Sequence, residues 1–242
     1  MPDFTPAQQR AVESLARDLE HVFKTRLESL VVYAGHQGDG SVHSCAVVDG
    51  LAFRDLTACL PMTESWHRRG VAVPLLLSSD ELRRTVDIFP LEYASIVADH
   101  VLVRGRDPFA SLTIPVEDLR RACEALAKSH LIHLREGFLE THGETTRVAR
   151  VIAASAAPLR ALLTHISRLP DQGTGEAETF TPTDASLAKL ARMRMGVPEA
   201  VIREVLASSS DGHSTIGDPS HLLGSYIEAS QKIWEYVDRW RA

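Results

Sequence analysis

The sequence predicts an α/β (α+β) domain over residues 1–112 followed by an all-helical bundle over 113–242. Two observations predict it. Strand-like apolar runs alternate with helix-spaced segments up to Leu112, and from Pro115 onward only helical spacing recurs. A length of 242 residues, 44% hydrophobic and 24% charged, is enough to bury the core that such a layout needs.

The elements follow in order. Thr5-Pro6 reads as an N-cap followed by proline at the first helical position, and Val12, Leu15, Leu19, Val22 and Phe23 then recur at helical spacing. Leu30–Tyr33 is a strand, and Cys45–Val48 resumes an apolar run after a glycine-rich segment. Phe53–His67 reads as a helix with Pro61 as a kink or a late start. Val71–Leu77 is a third strand, closed by Ser78-Ser79-Asp80, which cap a short helix through Glu81–Val86. Phe89–Leu102 ends in a fourth strand before the turn Gly105-Arg106-Asp107-Pro108. Long helical patterns over Pro115–Leu139 and Thr141–Leu169 come next, the second kinked at Pro158. The polar stretch Asp171–Thr181 is the best linker, and shorter helices cover Asp184–Met193, Pro198–Ser208 and Leu222–Trp240.

Composition narrows the function. A net charge of −6 disfavours a general nucleic-acid binder, which needs excess Lys and Arg on some face. Cys45, Cys59 and Cys123 are odd in number, widely spaced and set in apolar contexts, which fits reduced thiols in a cytoplasmic protein. The N-terminus lacks the basic-then-apolar pattern of a signal peptide, and no run of about 18 apolar residues predicts a membrane span.

The stretch LVVYAGHQGDGSVHSCAVVD, Leu30–Asp49, organises the first domain. Gly35, Gly38 and Gly40 allow either an ordinary hairpin or a loop whose backbone N–H groups approach a phosphate. It is neither the dinucleotide fingerprint nor a P-loop, since no G-x-G-x-x-G opens a helix and no G-K-[ST] follows. Candidate nucleotide-binding residues are Gly35, His36, Gly38, Asp39, Gly40, Ser41 and Ser44.

This layout resembles the nucleotidyltransferase superfamily, in particular small bacterial proteins related to kanamycin nucleotidyltransferase. The likeness lies in LVVYAG, in VDIFPLEY at Val86–Tyr93, in VLVRGRDPFASL at Val101–Leu112 and in CEALAKSHLIHLREGFLE at Cys123–Glu140. It implies a small mixed sheet, a Gly-Ser turn holding a triphosphate, and an Asp-x-Asp or Asp-x-Glu pair on the next strand. Alternate strand residues share a face, so that pair binds Mg²⁺ between phosphates. Here Ala34-Gly35 or Gly35-His36 replaces the Gly-Ser turn. The carboxylate pair falls at Val42 and Ser44, or at His43 and Cys45, and neither pair can hold Mg²⁺ as two carboxylates do. Asp39 and Asp49 do not restore it.

The resemblance therefore implies a catalytically degenerate protein that binds a nucleotide, a small molecule or a protein partner and needs no cofactor. One alternative is an active transferase of nucleoside monophosphate with a rearranged site, for instance Asp39 with a histidine, which would use Mg²⁺. Another is a helical interaction module, homodimeric or paired with another chain as in a toxin–antitoxin-like pair. Other clusters read as scaffold first. His36 and His43 flank the loop without a third ligand. His130, His133 and Glu136 fit a solvated helix face better than a metal site. Arg68 and Arg69 with Arg83 and Arg84 offer a small basic patch, and Asp87 and Glu92 lie where a third carboxylate could approach. Trp234, Tyr236 and Trp240 read as bundle core or interface.

Overall fold

A computed structural model of the chain describes residues 4–34, 41–170, 181–208 and 216–241. The chain forms two compact units, Met1–Ile114 and Pro115–Ala242. The first contains α1 (Pro6–Phe23), β1 (Leu27–Ala34), β2 (Val42–Val48), α2 (Phe53–Arg68), β3 (Leu75–Ser78), α3 (Ser79–Arg84), α4 (Pro90–Ala98) and β4 (His100–Gly105).

Helix α1 starts where sequence chemistry sets it. The Thr5 hydroxyl accepts from the Gln8 N–H and the Gln8 side chain accepts from the Thr5 N–H, a reciprocal capping box, with Pro6 at the first turn. Its buried face, Ala11, Val12, Leu15, Ala16, Leu19 and Phe23, keeps the predicted helical period. Ser78 caps α3 in the same way through Glu81. Pro61 sits inside α2, so the helix runs through it. Val71 makes only an isolated bridge to Val42, and the third strand proper begins at Leu75, after Pro74. The Phe89–Leu102 stretch divides into a helix started by Pro90 and a strand started by His100.

The strands form one mixed sheet in the order β3-β2-β1-β4, with β1 antiparallel to β2 and β4, and β2 parallel to β3. Side chains alternate across it. Leu30, Val32, Val42, Ala46 and Val48 join α1 and α2 in one core that also buries Trp66. Val31, Cys45 and Val47 join Leu82, Tyr93, Ile96 and Phe109 in a second core on the opposite face. Arg104 ties β4 to α1 through Glu13 and Glu20, the latter at 2.8 Å. Asp55, in the first turn of α2, accepts from Arg26 at 2.6 and 3.2 Å and from the Ala52 N–H at 2.9 Å. These bonds hold the Asp55 carboxyl below its usual range and raise the Arg26 guanidinium.

The second unit contains α5 (Val116–Glu140), α6 (Thr145–Ile166), α7 (Asp184–Met195), α8 (Glu199–Ala207) and α9 (Pro219–Arg239). Leu119, Cys123, Leu131 and Leu134 of α5 are buried, as are Ile152, Leu159, Leu162 and Ile166 of α6 and Leu223, Ile233 and Val237 of α9. Pro158 lies within α6, as predicted of a kink rather than a stop. Gly196, in the left-handed region at φ 64°, ends α7. Among the described residues no helix is long and apolar enough to cross a membrane.

Candidate functional site

The segment after β1 is where the sequence places a phosphate loop. Gly35, His36, Gly38, Asp39 and Gly40 lie outside the described residues. Their frame does not. The loop joins adjacent antiparallel strands, in register with Tyr33 opposite His43 and Val32 opposite Ser44. Ser41 is half-buried just before β2.

Strand parity decides what each neighbouring residue can do. Val42 and Ser44 share a face with Ala46 and Val48, so both turn toward the α1/α2 core. Ser44 is 2% exposed and its hydroxyl has no hydrogen-bond partner among the described residues. That placement sets the Ser44 side chain toward α1 and α2, on the face opposite Tyr33 and His43. His43 and Cys45 occupy the other face. Cys45 is fully buried, and burial pushes its thiol up to about 12, which leaves it protonated and unreactive at neutral pH.

On that second face the end of the sheet carries a row of three rings. Tyr33 stands directly between His43 on β2 and His100 on β4. The Tyr33 and His43 rings lie 5.9 Å apart between centroids. Burial, and secondarily the nearby Cys45, push the Tyr33 phenol up to about 12, so it stays a neutral donor and acceptor. His100 is held on both sides: Nδ1 lies 3.0 Å from the Ile96 carbonyl and Nε2 lies 3.1 Å from Asp107 Oδ1. Both neighbours accept, so the ring donates wherever it carries a proton. Asp107 also accepts from the Phe109 N–H at 2.9 Å, and the Phe109 ring meets His100 edge-on at 5.3 Å. With both His100 nitrogens already engaged, the His43 imidazole and the Tyr33 phenol are the ring groups at this end of the sheet that can hydrogen-bond phosphate or a base edge.

The remaining sequence candidates separate in space. Arg68 and Arg69 line a groove with Arg10 and Arg17 of α1, whereas Arg83 lines a different cavity, so they do not form one patch. Asp87 and Glu92 are exposed, before and at the start of α4 rather than on a strand. His130 is buried with Nε2 2.6 Å from the Tyr226 hydroxyl, while His133 is exposed and meets Glu136 at 3.2 Å. The two histidines thus serve different environments. Trp240 is buried with its indole N–H donating to the Pro170 carbonyl, and Lys128 Nζ lies 3.6 Å over the Trp234 ring. All three cysteines are free and buried.

Sequence reasoning missed Tyr33, His100 and Asp107 as a group. Only the Asp107-Pro108 turn was visible; their juxtaposition depends on β4 pairing with β1 across about seventy residues of chain. The chain matches no protein-family model and no curated protein.

Proposed function

We propose that this chain is a nucleotidyltransferase-like protein that binds a nucleotide or a related small molecule without transferring it. One observation carries the reading: beside the glycine loop, neither face of β2 carries a carboxylate. The core-facing positions are Val42 and Ser44, and the opposite positions are His43 and the buried Cys45. Metal-assisted nucleotidyl transfer places two carboxylates on one strand face, where the cation they hold offsets charge building on the phosphates. A histidine and a buried, protonated thiol supply no paired oxygen set. What the frame retains is a pair of antiparallel strands joined by the glycine-rich stretch, with the Tyr33 and His43 rings paired at the strand ends that it joins. A small mixed sheet followed by a helical unit supports the same reading.

The test is thermal unfolding with ATP, GTP, CTP and UTP, each with and without Mg²⁺. Ligand at a hundredfold excess over Kd adds about 2.7 kcal/mol to the native state, an easily read shift. The expected result is a rise with at least one nucleotide that does not need Mg²⁺ and that His43→Ala diminishes. Mg²⁺-dependent transfer of a nucleoside monophosphate to any acceptor overturns the reading. So does the absence of a shift with all four nucleotides.

A further inference from the structure

At the opposite end of the sheet from the glycine loop, a cavity of about 650 Å³ opens between the start of β1, the end of β4 and α3. Its polar lining is Glu28, Ser29, Ser79, Arg83, Arg106 and Ser111, over an apolar base that includes Val47 and Leu82. We propose that this cavity is a binding site for a small hydroxyl-bearing phosphate ester.

Charge points to an anion. Two guanidinium groups face one carboxylate. Glu28 already accepts from the Ser79 hydroxyl. Arg106 has no ion-pair partner among the described residues, and its backbone N–H is occupied by the Glu28 carbonyl at 3.3 Å. Among the described residues Arg83 pairs only with Asp80, at 3.7 Å between two exposed side chains, a contact that restrains it little. Guanidinium forks match phosphate oxygens in geometry as well as sign.

A second observation is independent of charge. Ser29 is 2% exposed, and its hydroxyl has no hydrogen-bond partner among the described residues although it borders the cavity. A buried hydroxyl left unmatched in the folded chain is a cost that a bound ligand removes. Size then selects the class. The cavity lies within the range of small-molecule sites and far exceeds one phosphate ion, so the phosphate brings an organic group. Hydroxyl groups on that ligand match Glu28, Ser79 and Ser111, which offer a carboxylate and two hydroxyls.

A competing site must be separated. Arg10, Arg17, Arg68 and Arg69 line a groove between α1 and α2. That groove is more strongly cationic, but its lining holds no buried unmatched group.

The experiment is calorimetric titration of the full chain with ribose 5-phosphate, with ribose and inorganic phosphate as separate probes. The expected result is saturable binding of the ester, weaker binding of inorganic phosphate and none of ribose. Arg106→Ala should weaken the ester at least tenfold, and Arg106→Lys less, because charge remains while the fork is lost. Ser29→Ala should weaken it severalfold while the melting temperature of the free protein stays equal or rises; a purely structural Ser29 predicts unchanged affinity. His43→Ala should leave ester binding intact, so failure here and failure of nucleotide binding at the glycine loop are read separately. Absence of saturable ester binding overturns the proposal. So does binding that Arg106→Ala leaves intact, or that the double variant Arg10→Ala/Arg69→Ala abolishes.

Discussion

Gly105 closes β4 against β1 and is the position where one added methyl group should do most damage. Its φ is +76°, and a Cβ built there would lie 1.9 Å from the Glu28 carbonyl oxygen and 2.8 Å from its carbon. Relief to ordinary contact needs a backbone retreat of roughly 1.5 Å. That retreat breaks the Ser29–Gly105 pairing and the Arg106 N–H bond to Glu28. Left-handed backbone for alanine costs about 1 kcal/mol, and two displaced hydrogen bonds cost about 1 kcal/mol each, so Gly105→Ala should lose ~3 kcal/mol. Gly50 is the control. It has a similar φ of +70° but nothing within 4 Å of its added Cβ, so Gly50→Ala should lose only about 1 kcal/mol. Amide hydrogen exchange in β1 and β4 reads both variants locally, without interference from unfolding of the helical unit. If Gly105→Ala falls within about 0.5 kcal/mol of Gly50→Ala, the close approach of the two backbones does not constrain this sheet edge.

Further outcomes follow from the buried groups. Burial, and secondarily His133, hold the His130 imidazole down at about 4 against an ordinary value of 6.5. The unfolded chain takes up that proton first as pH falls, so stability should decline from pH 6.5 to about 4 by roughly 3 kcal/mol, and His130→Gln should flatten the slope in a pH series of urea melts. Tyr226→Phe removes the hydroxyl facing His130 Nε2 and should destabilise the helical unit by about 1–3 kcal/mol in the same melts. The Asp55 carboxyl is held low by Arg26, so its contribution is present above the unfolded carboxylate range and lost as pH falls through the folded value. Asp55→Asn should raise the acid-unfolding midpoint of the first unit, followed by exchange at α2. Cys45, Cys59 and Cys123 should resist a thiol reagent at pH 8 in the native protein and react in urea, because burial pushes all three thiols up.

Local chemistry made much of this fold legible. Thr5-Pro6 and Ser78-Ser79-Asp80 announced helix starts because a cap is decided by three or four neighbouring residues. The α6 pattern ran through Pro158 because Val148, Ile152, Leu159, Leu162 and Ile166 keep one face on both sides of it. The Phe89–Leu102 stretch was harder. Tyr93 and Ile96 are buried helical residues and Val101 is a strand residue, yet all three are of types that sheets favour; Pro90 marks where the helix starts, but no glycine or proline marks its end at Asp99. The pairing of arginines failed for a related reason. Arg68-Arg69 and Arg83-Arg84 are close in sequence, but β3 passes between them and the first pair meets α1 instead.

The candidate site turns on a question that sequence leaves open and strand parity answers. Residues 42 to 45 offered two carboxylate registers, and composition treats Val42/Ser44 and His43/Cys45 alike. Pairing of Tyr33 with both His43 and His100 puts one register on the ring-bearing face and buries the other under α1 and α2. A one-residue slip of β2 would exchange the two sets, placing His43 in the apolar core and Val42 beside Tyr33. The core forbids that slip: Val42, Ala46 and Val48 pack with Leu15, Leu19 and Phe23, and exchanging them for His43 and Asp49 would bury polar groups there. The same apolar residues that hold the sheet together therefore fix His43, rather than Ser44, as the β2 side chain that shares a sheet face with Tyr33 and His100.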